Sequence, residues 1–315
     1  MLVMSTTSLL CQGDDFIRDG VRRLLGIQPT EGEIWVNRTG CEWPGAGTNI
    51  WRVVRNMPPP DEFMPHARAF VMAGTPGWLN GDISWCHWCM EHETPIWLIG
   101  VGSRQHGEDM LKWIKPQIKV ATARDAGACA VLTEYGVEHE RFLEPGFHAP
   151  YFAPQPKDLD VVLTFRRERK LHEEMQPCRL AAYRGLYAKF KDRIDCVLVH
   201  EPNEVEFARR LFGVEPFFSH EPRRYADIYC RARHYVGGRV HGAVPVLAAG
   251  GEAHLLYHEA KTETLTGYDW LPVRCYRHPD WEQVELGLEG DNVQERIAAD
   301  FAAHAAYLRA RVECE

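Results

Sequence analysis

The sequence has no apolar run long enough to span a membrane. A membrane helix needs about 20 consecutive apolar residues, and no stretch of the 315 residues approaches that length. An excess of basic residues is also lacking, because 36 Lys and Arg stand against 44 Asp and Glu, a formal net charge of -8. We therefore expect no membrane span and no broad contact with nucleic acid or an anionic membrane surface, so any basic site must be local.

The common motifs of nucleotide and hydrolase chemistry are also missing. The chain contains no Walker loop, no G-x-S-x-G elbow and no H-E-x-x-H pair. "LIGVGS" supplies a G-x-G turn, but the full G-x-G-x-x-G pattern with a later acidic partner is absent. A standard dinucleotide fingerprint is therefore not supported.

The ten cysteines are scattered and lack the regular spacing of a disulfide framework. They suit thiols in a reducing compartment, and the opening "MLVMSTTSLLCQG" lacks the basic start of a signal peptide, so we predict a cytoplasmic protein. In "CHWCMEH" the spacing of Cys86, Cys89 and His92 is compatible with zinc. No second ligand pair at a matching spacing accompanies them, so buried thiols on a helix are the preferred interpretation and no metal is predicted.

Apolar strand-like runs alternate with helical stretches along most of the chain, which is typical of βα units on parallel sheets. A cluster of prolines in "GFHAPYFAPQPKDLD" interrupts the pattern and predicts a linker. We therefore predict an α/β protein with two Rossmann-like, doubly wound domains, 1–152 and 153–290, followed by a C-terminal helix in 291–315. Ligands of such sheets bind beyond the carboxyl ends of the strands, here in a cleft between the domains. The predicted strands include "FLEPG" and "PFFS".

One arginine and one histidine interrupt an otherwise apolar run, "GGRVHGAVPVLAAG". A strand is expected to end at its two glycines and a helix to begin near Arg239. The unpaired N–H groups of a helix start attract a phosphate or carboxylate, and Arg239 adds a bidentate fork. His241 follows Val240 in the first turn, where it could bind the same anion or move a proton. The alternative is structural, with Arg239 paired to an acidic neighbour and His241 satisfied in the core.

Other polar residues follow strands of the same half. "TFRRERK" comes after "DVVLTF", and its Arg166 stands nearest to the strand. Glu201 in "VLVHEPNE" and Lys261 in "LLYHEAK" are secondary candidates, since charged residues after a strand are more often ordinary loop residues.

In their order along the chain, these motifs resemble those of the polysaccharide pyruvyltransferase family. "PIWLIGVGS" is similar to the glycine-bearing strand of that family. The family also carries a Gly-Asp pair near the first helix, an Arg-Asp pair in mid-chain, a late R-x-H motif and a tyrosine-lysine segment. Here these read as Gly13-Asp14, Arg124-Asp125, Arg239 with His241, and Tyr257 with Lys261. The sequence departs from the family in "LCQGDD", which lacks a preceding Asn, and in "MAGTPGW", which lacks a double glycine.

The resemblance implies a GT-B-like pair of domains, with phosphoenolpyruvate as donor substrate in the second domain and a sugar-containing acceptor at the first. It assigns donor contacts to Arg166, Arg239 and His241, and leaves homo-oligomerisation open. On this reading the enolpyruvyl group is transferred to sugar hydroxyls, with His241 as the acid, Arg239 beside it and no further cofactor. Two alternatives stay open: a GT-B glycosyltransferase that uses a nucleotide sugar, and a non-catalytic relative that only binds an anion.

Overall fold

The computed structural model describes residues 1–6, 12–27, 33–37, 63–74, 83–102, 108–166, 175–257, 262, 264–277 and 279–312. These residues belong to two compact units. Unit 1 contains residues 1–149 and 298–315, and unit 2 contains residues 150–297.

The described strands of unit 1 form one parallel sheet in the order β2-β1-β3-β4-β5-β6. Strands β3 and β4 are buried along their whole length, which explains their unbroken apolar sequences "AFVMA" and "IWLIGV". The strands are β1 (Leu2–Thr6), β2 (Glu33–Asn37), β3 (Ala69–Ala73), β4 (Ile96–Val101), β5 (Ile118–Ala123) and β6 (Glu140–Arg141).

Helices connect these strands and cover the sheet. In α1 the buried side chains of Ile17, Val21 and Leu24 recur at helical spacing and pack against Met4 and Val71 of the sheet. The helices of this part of the chain are α1 (Gln12–Leu25), α2 (Ile83–Glu91), α3 (Glu108–Ile114) and α4 (Ala126–Glu134).

Unit 2 repeats this architecture with a second parallel sheet, in the order β11-β10-β9-β7-β8. Its strands are β7 (Leu159–Thr164), β8 (Ile194–Leu198), β9 (Ala232–Gly237), β10 (Glu252–Leu256) and β11 (Val273–Tyr276). Its helices are α5 (Met175–Lys189), α6 (Pro202–Phe212), α7 (Pro222–Arg231) and α8 (Val240–Ala248). Because β9 lies beside β7, and β7 beside β8, the chain segments that follow these three strands meet at one edge of the sheet.

The C-terminal helix α9 (Val293–Val312) begins in unit 2 and belongs to unit 1 from Ala298 onward. Its buried Ala305 and Leu308 join the core cluster that also contains Val21 of α1. Among the described residues, no helix is both long and apolar enough to cross a bilayer.

Two predicted strands are wrong. Strand β6 comprises only the preceding Glu140 and Arg141, and in "FLEPG" the bonding to β5 ends with the Phe142 amide, because Leu143 gives its N–H to the side chain of Asp300 and Pro145 has none to give. Residues Pro145–His148 form a 3-10 turn instead. "PFFS" contributes a single bridge between Phe217 and Leu198, and does not extend into a strand.

Candidate anion-binding site in unit 2

The junction between β9 and α8 is shaped by two glycines. A Cβ on Gly237 would lie 2.5 Å from the carbonyl oxygen of Thr164 in β7, so only glycine allows the two strands to approach this closely. A Cβ on Gly242 would lie 2.7 Å from the ring of Tyr235. The first turn of α8 is therefore held tightly against the strand before it.

Arg239 occupies the N-cap position of α8, immediately before Val240, as the sequence predicts. The Tyr235 hydroxyl donates to the Arg239 carbonyl at 2.7 Å and accepts from the Arg239 amide at 3.1 Å. This clamp fixes the backbone where the helix begins. The N–H groups of the first turn of an α-helix have no intrahelical acceptor, so this helix start favours an anion.

The Arg239 side chain is 8% exposed and forms ion pairs with two carboxylates. Its Nη2 lies 2.5 Å from Oε1 of the fully buried Glu204 and 3.4 Å from Oε1 of Glu201. The second oxygen of Glu204 accepts from the backbone amides of His200 and Glu201, each at 3.2 Å. The alternative in which Arg239 pairs with acidic neighbours is thus present. These ion pairs fix the guanidinium at the carboxyl edge of the sheet.

A buried hydrogen-bond relay lies beside this pair. His200 Nε2 lies 2.6 Å from the Tyr229 hydroxyl, which in turn lies 3.1 Å from the hydroxyl of Thr164 at the end of β7. Burial lowers the pKa of His200 well below its ordinary value, and the positive charges of Arg239, His241 and Arg166 lower it further. His200 is therefore neutral at pH 7, and Arg239, His241 and Arg166 lie close enough to act on it.

Tyr183 of α5 lies close to the same positively charged side chains. Burial raises its pKa to about 12, against the opposing effects of Arg179, Arg239 and Arg166. Its hydroxyl is buried, and none of the described residues forms a hydrogen bond with it. Arg179 precedes Tyr183 by one helical turn, is 5% exposed, and places its guanidinium 5.6 Å from the centre of the Trp281 ring.

We define the cation cluster as Arg166, Arg179, Arg239 and His241. The carboxylates of Glu201 and Glu204 contact the Arg239 guanidinium of this cluster. Arginine forks and a helix start bind carboxylate and phosphate oxygens well. The arrangement can therefore hold a compact anion that carries more than one negative charge.

Sequence reasoning identified Arg166, Arg239, His241 and Glu201, and the structure brings these four together in unit 2. It missed Arg179, Tyr183 and Glu204. The spacing of Arg179 and Tyr183 at i and i+4 shows that they share one helix face, but no local feature indicates that this face meets Arg239. Lys261 lies outside the described residues.

The candidates from the first half of the chain lie in unit 1 and have local roles there. Asp125 caps α4 by accepting from the Ala128 amide at 2.8 Å. Arg124 forms a buried ion pair with Glu144 at 3.2 Å. Asp14 is buried in the first turn of α1.

The "CHWCMEH" segment lies mainly on α2. Cys86 and Cys89 are fully buried in the core cluster that also contains Trp85, and the ring of His92 stacks on Trp88 at 5.3 Å between centroids. These contacts agree with the interpretation of the segment as a helix with buried thiols.

Similarity to solved structures gives the fold. A Listeria monocytogenes protein assigned as a UDP-N-acetylglucosamine 2-epimerase matches 98% of this chain and 91% of its own, with 9% identity and a TM-score of 0.55. The Staphylococcus aureus protein MnaA in complex with UDP matches 99% of this chain and 90% of its own, with 9% identity and a TM-score of 0.53. The predicted fold class, two Rossmann-like α/β domains of the GT-B type, is confirmed. No protein-family model and no curated protein matches the chain.

Proposed function

We propose that this protein is a transferase that moves the enolpyruvyl group of phosphoenolpyruvate onto hydroxyls of a sugar-containing acceptor. The products are a pyruvate ketal and phosphate. The observation that carries the proposal is the cation cluster, in which the buried Arg239 stands at the start of α8 at the carboxyl edge of a parallel sheet.

Phosphoenolpyruvate suits this cluster because it is small and carries a carboxylate and a phosphate on the same carbon atom, C2. Each group accepts two hydrogen bonds from one guanidinium, and the start of α8 favours a further negative charge. Arg239 and Arg166 are the proposed donor-binding residues, with Val240 and His241 in the first turn of α8. Glu204 holds Arg239 in place before the donor arrives, which lowers the entropic cost of binding.

The proposed reaction starts with protonation of the methylene carbon of the donor by His241. Positive charge then develops at C2, where a first acceptor hydroxyl adds and gives up its proton. A second hydroxyl attacks the same carbon, the C–O bond to phosphate breaks, and phosphate leaves with the electron pair. The net change transfers one acceptor proton to the methyl group and the other to phosphate or solvent. A histidine titrates near neutral pH and suits this acid role.

The second candidate is an enzyme that acts on a nucleotide sugar. The similarity in fold to the UDP-bound Staphylococcus aureus protein favours it, although at 9% identity that similarity concerns the fold. In such an enzyme the arginines would hold a diphosphate, and a base pocket and a partner for the ribose would be needed as well. A non-catalytic anion-binding protein would retain the arginines but show no turnover.

The deciding experiment is calorimetric titration of the full-length protein with phosphoenolpyruvate, with UDP and UDP-N-acetylglucosamine in parallel. The test variants are Arg239→Ala and Arg166→Ala. The matched control is Arg233→Ala, which removes an exposed arginine near the start of β9, at the opposite edge of the same sheet. Circular dichroism and thermal unfolding show whether each variant is folded.

We expect saturable binding of phosphoenolpyruvate to the unmodified protein and to Arg233→Ala. Loss of one charge-assisted hydrogen-bonding group costs about 1.5–3 kcal/mol, so each test variant should bind about 10- to 150-fold more weakly. Binding of the uridine nucleotides, with none of phosphoenolpyruvate at millimolar concentration, would replace the pyruvyl proposal by the nucleotide-sugar alternative.

A further inference from the structure

A second buried polar cluster lies in unit 1 and has no part in the proposed reaction. It consists of His148, Asp300 and His304, which we call the His-Asp-His cluster. A potential ligand atom from each of the three residues lies within 4.8 Å of the other two. His148 Nε2 and Asp300 Oδ1 are 3.0 Å apart.

The cluster joins two well-fixed elements. Asp300 and His304 are one turn apart on α9 and therefore share a face of that helix. His148 ends the 3-10 turn Pro145–His148, which packs so closely on α1 that a Cβ on Gly20 would lie 1.8 Å from the Pro145 carbonyl oxygen. The positions of the three side chains are thus set by the packing of their backbones.

The surroundings of the cluster orient its members. Asp300 Oδ2 accepts from the Leu143 amide at 3.1 Å, which leaves Oδ1 directed at His148. His304 Nε2 lies 3.1 Å from the Thr122 hydroxyl, and the His304 ring stacks on Phe142 at 4.3 Å. A histidine that binds a metal commonly donates its other N–H to such a neighbouring group.

One polar atom of the cluster remains unexplained by these contacts. His304 is 0% exposed, and the Nδ1 atom of its ring has no hydrogen-bond partner among the described residues. Buried polar atoms nearly always have a partner, in the protein or in a bound species. Because Nε2 of His304 is engaged with Thr122, Nδ1 is the atom of that ring left for a ligand.

We propose that the His-Asp-His cluster binds a zinc ion, which ties α9 to the turn Pro145–His148. Two imidazole nitrogens and one carboxylate oxygen form a ligand set that zinc accepts, and a water completes four-coordination. Ligand atoms of tetrahedral zinc lie about 3.3 Å apart, given Zn–N bonds of about 2.0–2.1 Å. The 3.0 Å separation of Asp300 Oδ1 from His148 Nε2 is close to that value. Asp300, 17% exposed at its side chain, provides the route to solvent.

The competing explanation is a hydrogen-bonded cluster without metal, in which His148 and Asp300 simply form an ion pair. It predicts no zinc uptake. A further competitor is zinc at the thiols of Cys86 and Cys89, and the two sites are distinguishable because thiolate ligands have a spectroscopic signature that nitrogen and oxygen ligands lack.

The test uses the full-length chain without a polyhistidine tag, treated with chelator and then with one equivalent of Zn²⁺ or Co²⁺. Zinc is measured by elemental analysis after gel filtration, its affinity by competition with a chromophoric chelator, and the cobalt site by its absorption spectrum. The variants Asp300→Asn and His304→Gln remove ligands at nearly constant volume. The control variants are His139→Gln in unit 1 and His92→Gln in the cysteine-containing segment.

We expect about one zinc per chain, a higher melting temperature with zinc, and a four-coordinate cobalt spectrum without a thiolate charge-transfer band. Loss of a partner outside the coordination sphere already weakens metal binding about 10- to 100-fold, so loss of a ligand should weaken it at least as much. Both controls should bind zinc as the unmodified protein does. Negligible zinc in the unmodified protein, a thiolate band, or unchanged affinity in both ligand variants would overturn the proposal. If a variant fails to fold, the stoichiometry and cobalt spectrum of the unmodified protein still decide.

Discussion

The two edges of the unit 2 sheet each bury a glutamate, and the partners of the two carboxylates differ. At the amino edge, Glu252 begins β10 and contacts His234 at 2.7 Å, His254 at 2.9 Å and the Gly287 amide at 2.8 Å. A further backbone donor is Leu288. Burial alone would raise the pKa of Glu252, but the hydrogen bonds from His234, His254 and Gly287 outweigh it and hold the pKa well below its usual range.

At the carboxyl edge, Glu204 accepts hydrogen bonds from two backbone amides and from one guanidinium, and further arginines lie close by. The amino edge is built around its carboxylate, whereas the carboxyl edge brings Arg166, Arg179 and Arg239 close to the start of α8. Burial of charge alone therefore does not identify a binding site. Several arginines beside a helix start, at the edge where parallel strands end, are the feature that points to a ligand.

The amino edge of this sheet also contains a cavity. A cavity of about 710 Å³ lies beside Glu252 and is lined by Lys157, Arg233 and Gly287, among others. Burial lowers the pKa of Lys157 to about 8, yet its Nζ already donates to the Cys230 carbonyl at 2.9 Å. The Lys157 ammonium and the Glu252 carboxylate at this edge already bind protein atoms, so the volume of the cavity does not by itself indicate a ligand site.

The largest effect is expected when one histidine at each edge of the sheet is replaced in turn by glutamine. His241→Gln removes the proposed acid and should lower turnover about 10²- to 10⁴-fold, the usual contribution of general acid catalysis. His234→Gln, at the amino edge, should cause no comparable loss. The measurement is release of phosphate from phosphoenolpyruvate in the presence of a panel of glycan acceptors. Full turnover by His241→Gln would remove the acid role from this residue.

Substitutions at the carboxyl edge should also change the free energy of unfolding, because Arg239 and Glu204 form a buried ion pair. Arg239→Ala leaves the Glu204 carboxylate buried without its cation and should lower the free energy of unfolding by about 3–5 kcal/mol. The double variant Arg239→Met with Glu204→Gln has no buried charge at this position and should recover most of that loss. Urea titrations measure both.

The double variant also separates folding from binding. It should remain unable to bind phosphoenolpyruvate tightly, although it is stable. If it bound the donor like the unmodified protein, the pair would serve stability alone and the proposed role of Arg239 would be wrong.

Local patterns were sufficient to predict the β9-α8 junction but not the partners of Arg239. Two glycines and the change of period in "YVGGRVHGAVPVLAAG" correctly place the end of a strand and the start of a helix. Glu204 precedes Arg239 by 35 residues and reads in the sequence as an ordinary acidic residue in the first turn of a helix. Their contact depends on the strand order β9-β7-β8, which no local pattern specifies.

The same limit applies more strongly in unit 1. His148 and Asp300 are 152 residues apart, and neither stands in a recognisable motif. The sequence predicted the C-terminal helix, but no local pattern indicates which half that helix packs on. Without that contact, the His-Asp-His cluster cannot be assembled from the sequence.

A smaller effect is expected at the amino edge. Glu252→Gln should lower the free energy of unfolding at pH 7 by about 1–3 kcal/mol, because an amide replaces an ionised acceptor of several hydrogen bonds. Binding of phosphoenolpyruvate should not change. A parallel loss of donor binding would show that the two edges are not independent.

The pH dependence gives this prediction a second check. A lowered pKa in the folded state stabilises the protein above the pKa of the unfolded chain, about 4.3 for glutamate, and the contribution is lost as the pH falls towards the folded-state value. The stability difference between the unmodified protein and Glu252→Gln should therefore narrow on acidification from pH 7 to about pH 3. Urea midpoints at the two pH values measure it.

The smallest predicted effect concerns the Tyr183 hydroxyl, a buried group at the carboxyl edge that forms no hydrogen bond with the described residues. Its pKa of about 12 keeps it protonated at pH 7, so it can donate to an anion held by the arginines. Tyr183→Phe should weaken phosphoenolpyruvate binding about 2- to 12-fold, which corresponds to about 0.5–1.5 kcal/mol for one hydrogen bond.

Without the donor, Tyr183→Phe should be at least as stable as the unmodified protein, since the substitution removes a buried polar atom that has no described partner. Tyr187→Phe is the matched control, one turn later on α5, where the ring packs 5.1 Å from Phe212 between centroids. Calorimetry of both variants measures donor binding, and urea titration measures stability, so a role of the hydroxyl in binding is distinguished from a structural role. Weaker donor binding at unchanged stability places the hydroxyl in the site. A purely structural hydroxyl would instead lower the free energy of unfolding when removed and leave donor binding unchanged.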